Sequence, residues 1–129
     1  MFETIELFRM ADAMTRHAAV RQAVVAENTA NADTPGFKAR DVVPFADLVA
    51  GGVPGVPMRA TRARHLDAGD GLATAITRTD RLGYAEPNGN NVSLETEMLK
   101  AVAVKSQHDR ALAIYRSGLS LMRMSIGRR

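Results

Sequence analysis

The sequence predicts a mainly α-helical protein in which two long terminal helices pack as an antiparallel, coiled-coil-like hairpin, joined by a loop-rich middle with little regular structure. Three observations carry this expectation. Apolar and small residues recur at steps of three and four from Ile5 to Val25 and again from Leu94 to Ile126, the spacing that gathers one stripe along a helix. Between these stretches, residues 42–92 hold four of the five prolines and seven of the ten glycines and show no long periodicity. A length of 129 residues fits one domain with a modest core. That domain divides into an N-terminal helix and turn over 1–41, a connector over 42–92 and a C-terminal helix over 93–129.

The first helix is expected from Glu3 to about Asn31, about 40 Å at 1.5 Å per residue. Its stripe runs through Leu7, Met10 or Ala11, Met14, Ala18, Val24 or Val25 and Asn28. Alanine thins the stripe and lets another helix approach closely. The helix should stop where Asn31, Asp33, Pro35 and Gly36 cluster, because none of these extends a helix well. Thr34-Pro35-Gly36-Phe37 then suits a type II turn, with proline fixing φ at the second position and glycine supplying positive φ at the third. Asn28 and Asn31 stand where side-chain amides can satisfy the last helix carbonyls. Phe37 is the expected apolar anchor of the extended arm beyond the turn, and Lys38 and Arg40 are expected to face solvent or acidic patches.

In the connector, Phe45–Val49 can form one helical turn, and Ala73–Thr79, with Ile76 among threonines, a short strand. The C-terminal helix is the more regular of the two. Leu94, Met98, Ala101, Lys105, His108, Leu112, Tyr115, Leu119, Met122 and Ile126 form one seam over about 50 Å. Ser93 is the expected N-cap, and Glu95 and Glu97 put negative charge in the first turn, where the helix dipole favours it. Isolated helices take most of their stability from packing, so both stripes need a partner, either the other terminus or a neighbouring copy. Pairing the chain's own ends sets Ile5–Val25 against Met98–Ile126.

Several chemistries find no support in the residues. Cysteine is absent, which removes disulfides, thiolate catalysis and cysteine metal sites. His17, His65 and His108 are too widely spaced for a helical metal pair. His17 and His108 are expected as polar residues at packing edges, His108 with the sharper alternative of a pH-sensitive assembly contact. Gly51-Gly52-Val53-Pro54-Gly55 lacks the Lys-Ser or Lys-Thr sequel of a phosphate cradle. Glu95 with Glu97 serves a helix start, and Asp67 with Asp70 lies in a Gly-rich loop. No nucleophile elbow is present, so no enzyme, cofactor, metal or small-molecule substrate is expected.

No run approaches the roughly 18 to 20 apolar residues of a membrane-crossing helix. Glu3 and Glu6 precede any basic residue and no apolar stretch follows, so no cleaved signal is expected. The net charge of +3 reflects arginines in 59–65 and in 110–129, the latter with five arginines and no acid. This bias leaves a basic helical nucleic-acid-binding module as the alternative reading. No aromatic platform or helix-turn-helix pattern accompanies it.

The string Asn28-x-Ala30-Asn31-x-x-Thr34-Pro35-Gly36-Phe37-Lys38 resembles the signature of the flagellar rod, hook and hook-cap axial proteins. Asn88-Gly89-Asn90-Asn91-Val92-Ser93-Leu94-Glu95-Thr96-Glu97-Met98 is similar to a segment of the bacterial flagellar basal-body rod family, in its proximal rod members. The resemblance covers roughly residues 5 to 45 and 80 to 126. Phe37 stands where tyrosine is frequent and Ser93 where aspartate is frequent, so capping is expected from a related side chain.

This resemblance implies a structural subunit of the proximal rod that polymerises with other rod proteins and with copies of itself into the torque-transmitting tube. It implies terminal helices in the tube's inner layer, type III export without a cleaved signal, and contacts with the export gate and an adaptor at the rod's base. Nucleic acid is not among the implied partners. Asn28, Ala30, Asn31, Thr34, Pro35, Gly36, Phe37 and Lys38 would set the angle at which the arm leaves the helix. Leu7, Met14, Val25, Leu94, Met98, Leu112, Tyr115, Leu119, Met122 and Ile126 would serve as helix seam and assembly surface.

Overall fold

The computed structural model describes residues 2–51, 78–80 and 86–127. Helix α1 spans Phe2–Ala30, strand β1 Arg40–Val42, helix α2 Phe45–Gly51, strand β2 Arg78–Asp80 and helix α3 Leu94–Ile126. Ala73–Thr77 of the expected strand, the Gly52–Gly55 loop, Asp67, Asp70, His65 and the arginines of 59–65 lie outside the described residues.

The two long helices pack against each other in antiparallel fashion. Near one end the Phe8 ring meets the edge of Tyr115 with centroids 5.1 Å apart. Midway, His17 faces Gln107, and at the other end Asn28 reaches Glu97. The buried face of α3 is Glu97, Val104, Ala111 and Gly118. Their seven-residue spacing matches that of Ala11, Ala18 and Val25, buried on α1, and is the repeat by which helices lock along a shared seam. Small side chains dominate it, so the helices approach closely. A Cβ at Gly118 would lie 3.0 Å from Phe8 Cζ and 3.1 Å from its Cε1; glycine is what lets the Phe8 ring lie against α3.

α1 ends as the sequence predicts. The Asn31 side-chain amide donates to the Glu27 carbonyl at 2.8 Å, and the Asn31 backbone amide donates to Glu27 and Asn28 carbonyls. In the turn that follows, the Phe37 amide donates to the Thr34 carbonyl at 3.2 Å, and Gly36 has φ of 74°. β1 then pairs antiparallel with β2, with Asp41 opposite Thr79. Val42 on β1 and Leu48 on α2 are buried. After Pro44, whose carbonyl accepts from Asp47 and Leu48, α2 brings the Phe45 ring to 5.5 Å from His17.

One local expectation changes. Ser93 occupies the N-cap of α3 in extended conformation, but its hydroxyl makes no capping bond. Its carbonyl accepts from the Glu97 amide and from the Thr96 hydroxyl instead. Leu94 and Glu95 beside it are exposed, where water can serve the first-turn amides.

Candidate functional site

The chain leaving α1 presents carbonyls that no helix continues to satisfy, and such groups need partners when buried. Asn90 collects them. Buried to 1% exposure, it donates from Nδ2 to the carbonyls of Asn31 at 3.0 Å, Ala32 at 2.7 Å and Thr34 at 3.0 Å. An amide has two hydrogens, so one of these three bonds is shared. Its Oδ1 accepts from the Val92 amide at 2.7 Å. Asn90 itself is held in a turn: Asn88 Oδ1 accepts from its amide, and its carbonyl accepts from Glu86.

The rest of 88–91 grips the Thr-Pro-Gly-Phe turn and the arm. The Gly36 amide donates to the Asn88 carbonyl at 3.0 Å, and Lys38 Nζ to the Gly89 carbonyl at 2.7 Å. The Ala39 amide donates to Asn91 Oδ1 at 2.6 Å. Gly89, with φ of 80°, packs so near Gly36 that a Cβ on it would lie 3.4 Å from the Gly36 Cα. The two segments that carry the family resemblance, far apart in sequence, thus form one junction.

Beneath the junction lies a polar network joining α1, β1 and α3. Asn28 pairs with the Arg40 backbone, donating from Nδ2 to its carbonyl at 2.7 Å and accepting its amide on Oδ1 at 3.0 Å. The same Nδ2 donates to Glu97 Oε2 at 3.1 Å. Glu97, fully buried, accepts from Lys100 Nζ on its other oxygen at 2.7 Å. Lys100 also lies 3.3 Å from Asp41 Oδ2, and Arg21 grips Asp41 with both Nε and a terminal nitrogen. Two carboxylates and two cations therefore neutralise one another, which is what allows such charge under a packed interface. Burial pushes the Asp41 carboxyl up; the Arg21 hydrogen bond, the Val42 amide and the charges of Arg21 and Lys100 outweigh it and hold the group below its ordinary value. His17 is buried with both ring nitrogens in use, Nε2 donating to the Val43 carbonyl at 2.7 Å and Nδ1 accepting from Gln107.

Of the motif residues, Asn28, Asn31, Thr34 (through its carbonyl), Gly36 and Lys38 join the junction. Ala30 and Pro35 are exposed, and Phe37 is half-buried, so hydrogen bonds hold the arm more than an apolar anchor does. Arg40 reaches Glu27 Oε1 at 3.4 Å. Among the seam residues Val25 is buried, and Met14, Leu112 and Leu119 are half-buried. Leu7, Leu94, Met98, Tyr115, Met122 and Ile126 are exposed, with Met98 at 63% and Ile126 at 75%. The stripe singled out by sequence thus lies beside the face that α3 turns to α1, with its large side chains outward. Alongside that face runs an apolar groove of about 630 Å³ between the helices, lined by Ala18, Ala19, Ala101 and Val102 with Gln22 and His108 at its margin.

Asn90, Asn91, Glu97, Lys100, Asp41 and Arg21 are junction residues that sequence reasoning did not single out as sites. The asparagine run 88–91 was the available signal for the first pair. Glu97 sits seven residues before Val104, in register with Ala111 and Gly118.

Polar groups committed to fixing one arm against a long hairpin, together with large apolar side chains facing outward, are the build of a structural assembly subunit. Residues 13–38 match the family described as flagella basal body rod protein. Over 130 aligned residues the chain is 34% identical to flagellar basal body rod protein FlgB of Agrobacterium fabrum strain C58, covering 98% of this chain and 96% of that relative. The chain belongs to the flagellar basal body rod protein family.

Proposed function

We propose that this chain is a structural subunit of the proximal part of the bacterial flagellar rod, polymerising with other rod proteins and with copies of itself into the tube that transmits motor torque. The nearly end-to-end similarity to FlgB carries the reading. The junction supplies its geometry: Asn90 and Asn28 fix the direction in which the arm leaves α1, and the outward side chains Leu94, Met98, Tyr115, Met122 and Ile126 give neighbouring subunits an apolar surface. In this reading residues 1–41, 42–92 and 93–129 act as one axial domain. The subunit leaves the cell by the flagellum's type III apparatus without losing a signal, and at the rod's base it meets the export gate and its adaptor.

Deletion of the gene, followed by a swimming assay and electron microscopy of basal bodies, tests this function. Loss of rod and filament is the expected result, and intact rotating flagella would overturn it. Gly36→Val, which forces a β-branched residue to φ of 74°, is expected to reduce motility in the same assay.

A further inference from the structure

α3 carries exposed apolar side chains at both ends. At its start, beside the arm junction, are Leu94, Met98 and Leu99; at its finish are Leu121, Met124 and Ile126. These ends differ in charge. Around the start, Asp33, Glu86 and Glu95 are exposed, while Lys38 is drawn onto the Gly89 carbonyl and Arg40 onto Glu27. Toward the finish Arg116 and Arg123 are exposed, and from Arg110 onward the chain has no acid. The neighbouring end of α1 adds Glu6 and Arg9, which balance.

We propose that copies of this chain dock head to tail, the basic apolar finish of α3 in one copy seating on the acidic apolar start of α3 in the next. The inference rests on the assembly function proposed above and names the faces that meet. Apolar contact supplies the attraction, and charge supplies the direction: head-to-head or tail-to-tail docking would bring like charges together, whereas head-to-tail docking pairs opposite ones. Because the two patches differ, each docked pair still presents one of each, and association continues rather than closing on itself.

Sedimentation velocity on the purified full-length chain tests the inference with two charge-reversed variants. Arg116→Glu with Arg123→Glu makes both ends acidic, and Glu86→Lys with Glu95→Lys makes both basic. Wild type is expected to form a series of species that grows with concentration. Each variant alone should associate at least roughly tenfold more weakly, and an equimolar mixture should regain the wild-type series, which a misfolded variant would not do. Circular dichroism checks helix content. A monomeric wild type, a variant that associates alone as wild type does, or a mixture that stays monomeric would each overturn the inference. Should any of these occur while deletion still abolishes the rod, the head-to-tail contact falls and the rod function stands; should deletion leave the rod intact, the function falls as well.

Discussion

Asn28 and Arg40, twelve residues apart, pair as neighbouring strands do: the Arg40 amide donates to Asn28 Oδ1 at 3.0 Å and Asn28 Nδ2 donates to the Arg40 carbonyl at 2.7 Å. One helical side chain thus stands in for a length of peptide backbone. Asn28→Ala removes it and leaves two backbone groups and a Glu97 oxygen short of a partner. The expected loss is about 2 to 4 kcal/mol, read as a lower midpoint in urea unfolding. An unchanged midpoint would show that water replaces the amide at no cost.

Asn90→Asp keeps the size of the side chain and exchanges its donor for an acceptor. The carbonyls of Asn31, Ala32 and Thr34 then face a carboxylate. Hydrogen exchange should quicken at the Gly36 and Ala39 amides, which are bonded to this segment, more than at Val104 in the middle of α3. Equal changes at all three would place the effect on global stability and not on the junction.

Gly118→Ala sets two terms against each other. Alanine is favoured over glycine in a helix by about 1 kcal/mol, while crowding a packed core typically costs about 1 to 3 kcal/mol. With the Phe8 ring only 3.0 Å from the new Cβ and edge-on to Tyr115, crowding should prevail, for a net loss of about 1 kcal/mol. Pairing Gly118→Ala with Phe8→Leu should recover part of that loss in a double-mutant cycle. Strict additivity would exclude the contact as its source.

Asp41 predicts a pH dependence. A carboxyl held below its ordinary value in the folded chain contributes stability that is complete above the unfolded value of about 3.9 and is lost as pH falls through the folded value. The stability difference between wild type and Asp41→Asn should therefore be constant near neutrality and shrink below about pH 4. Thermal unfolding of both proteins across that range measures it, and a gap that stays constant down to acid unfolding would remove Arg21 and Lys100 as the cause.

The end of α1, the turn at Gly36 and the extent of α3 were legible because each follows from local rules: glycine at positive φ, proline at a turn, and a repeat of three and four. Which face of α3 meets α1 was not. A hydrophobic stripe ranks Leu94, Met98 and Ile126 above Glu97, Ala111 and Gly118, yet the closest helix contact favours small side chains, and Glu97 is tolerated there only because Asn28 and Lys100 reach it. Asn28 and Glu97 are 69 residues apart, a pairing that no local window contains. The same holds for Asn90, whose acceptors lie 56 to 59 residues earlier. Its partners are backbone carbonyls, which leave no mark in side-chain pattern.

Every bond that Asn90 makes to the turn spans more than 50 residues, so the arm cannot lock until the last third of the chain is present. Closing so long a loop is entropically costly before any contact rewards it. A chain ending before Asn88 should accordingly show no protection at the Gly36 amide, and persistent protection there would mean that the turn holds itself. An unthreaded, linear passage would thus meet little resistance from the N-terminal half, because the latch that shapes it travels at the rear.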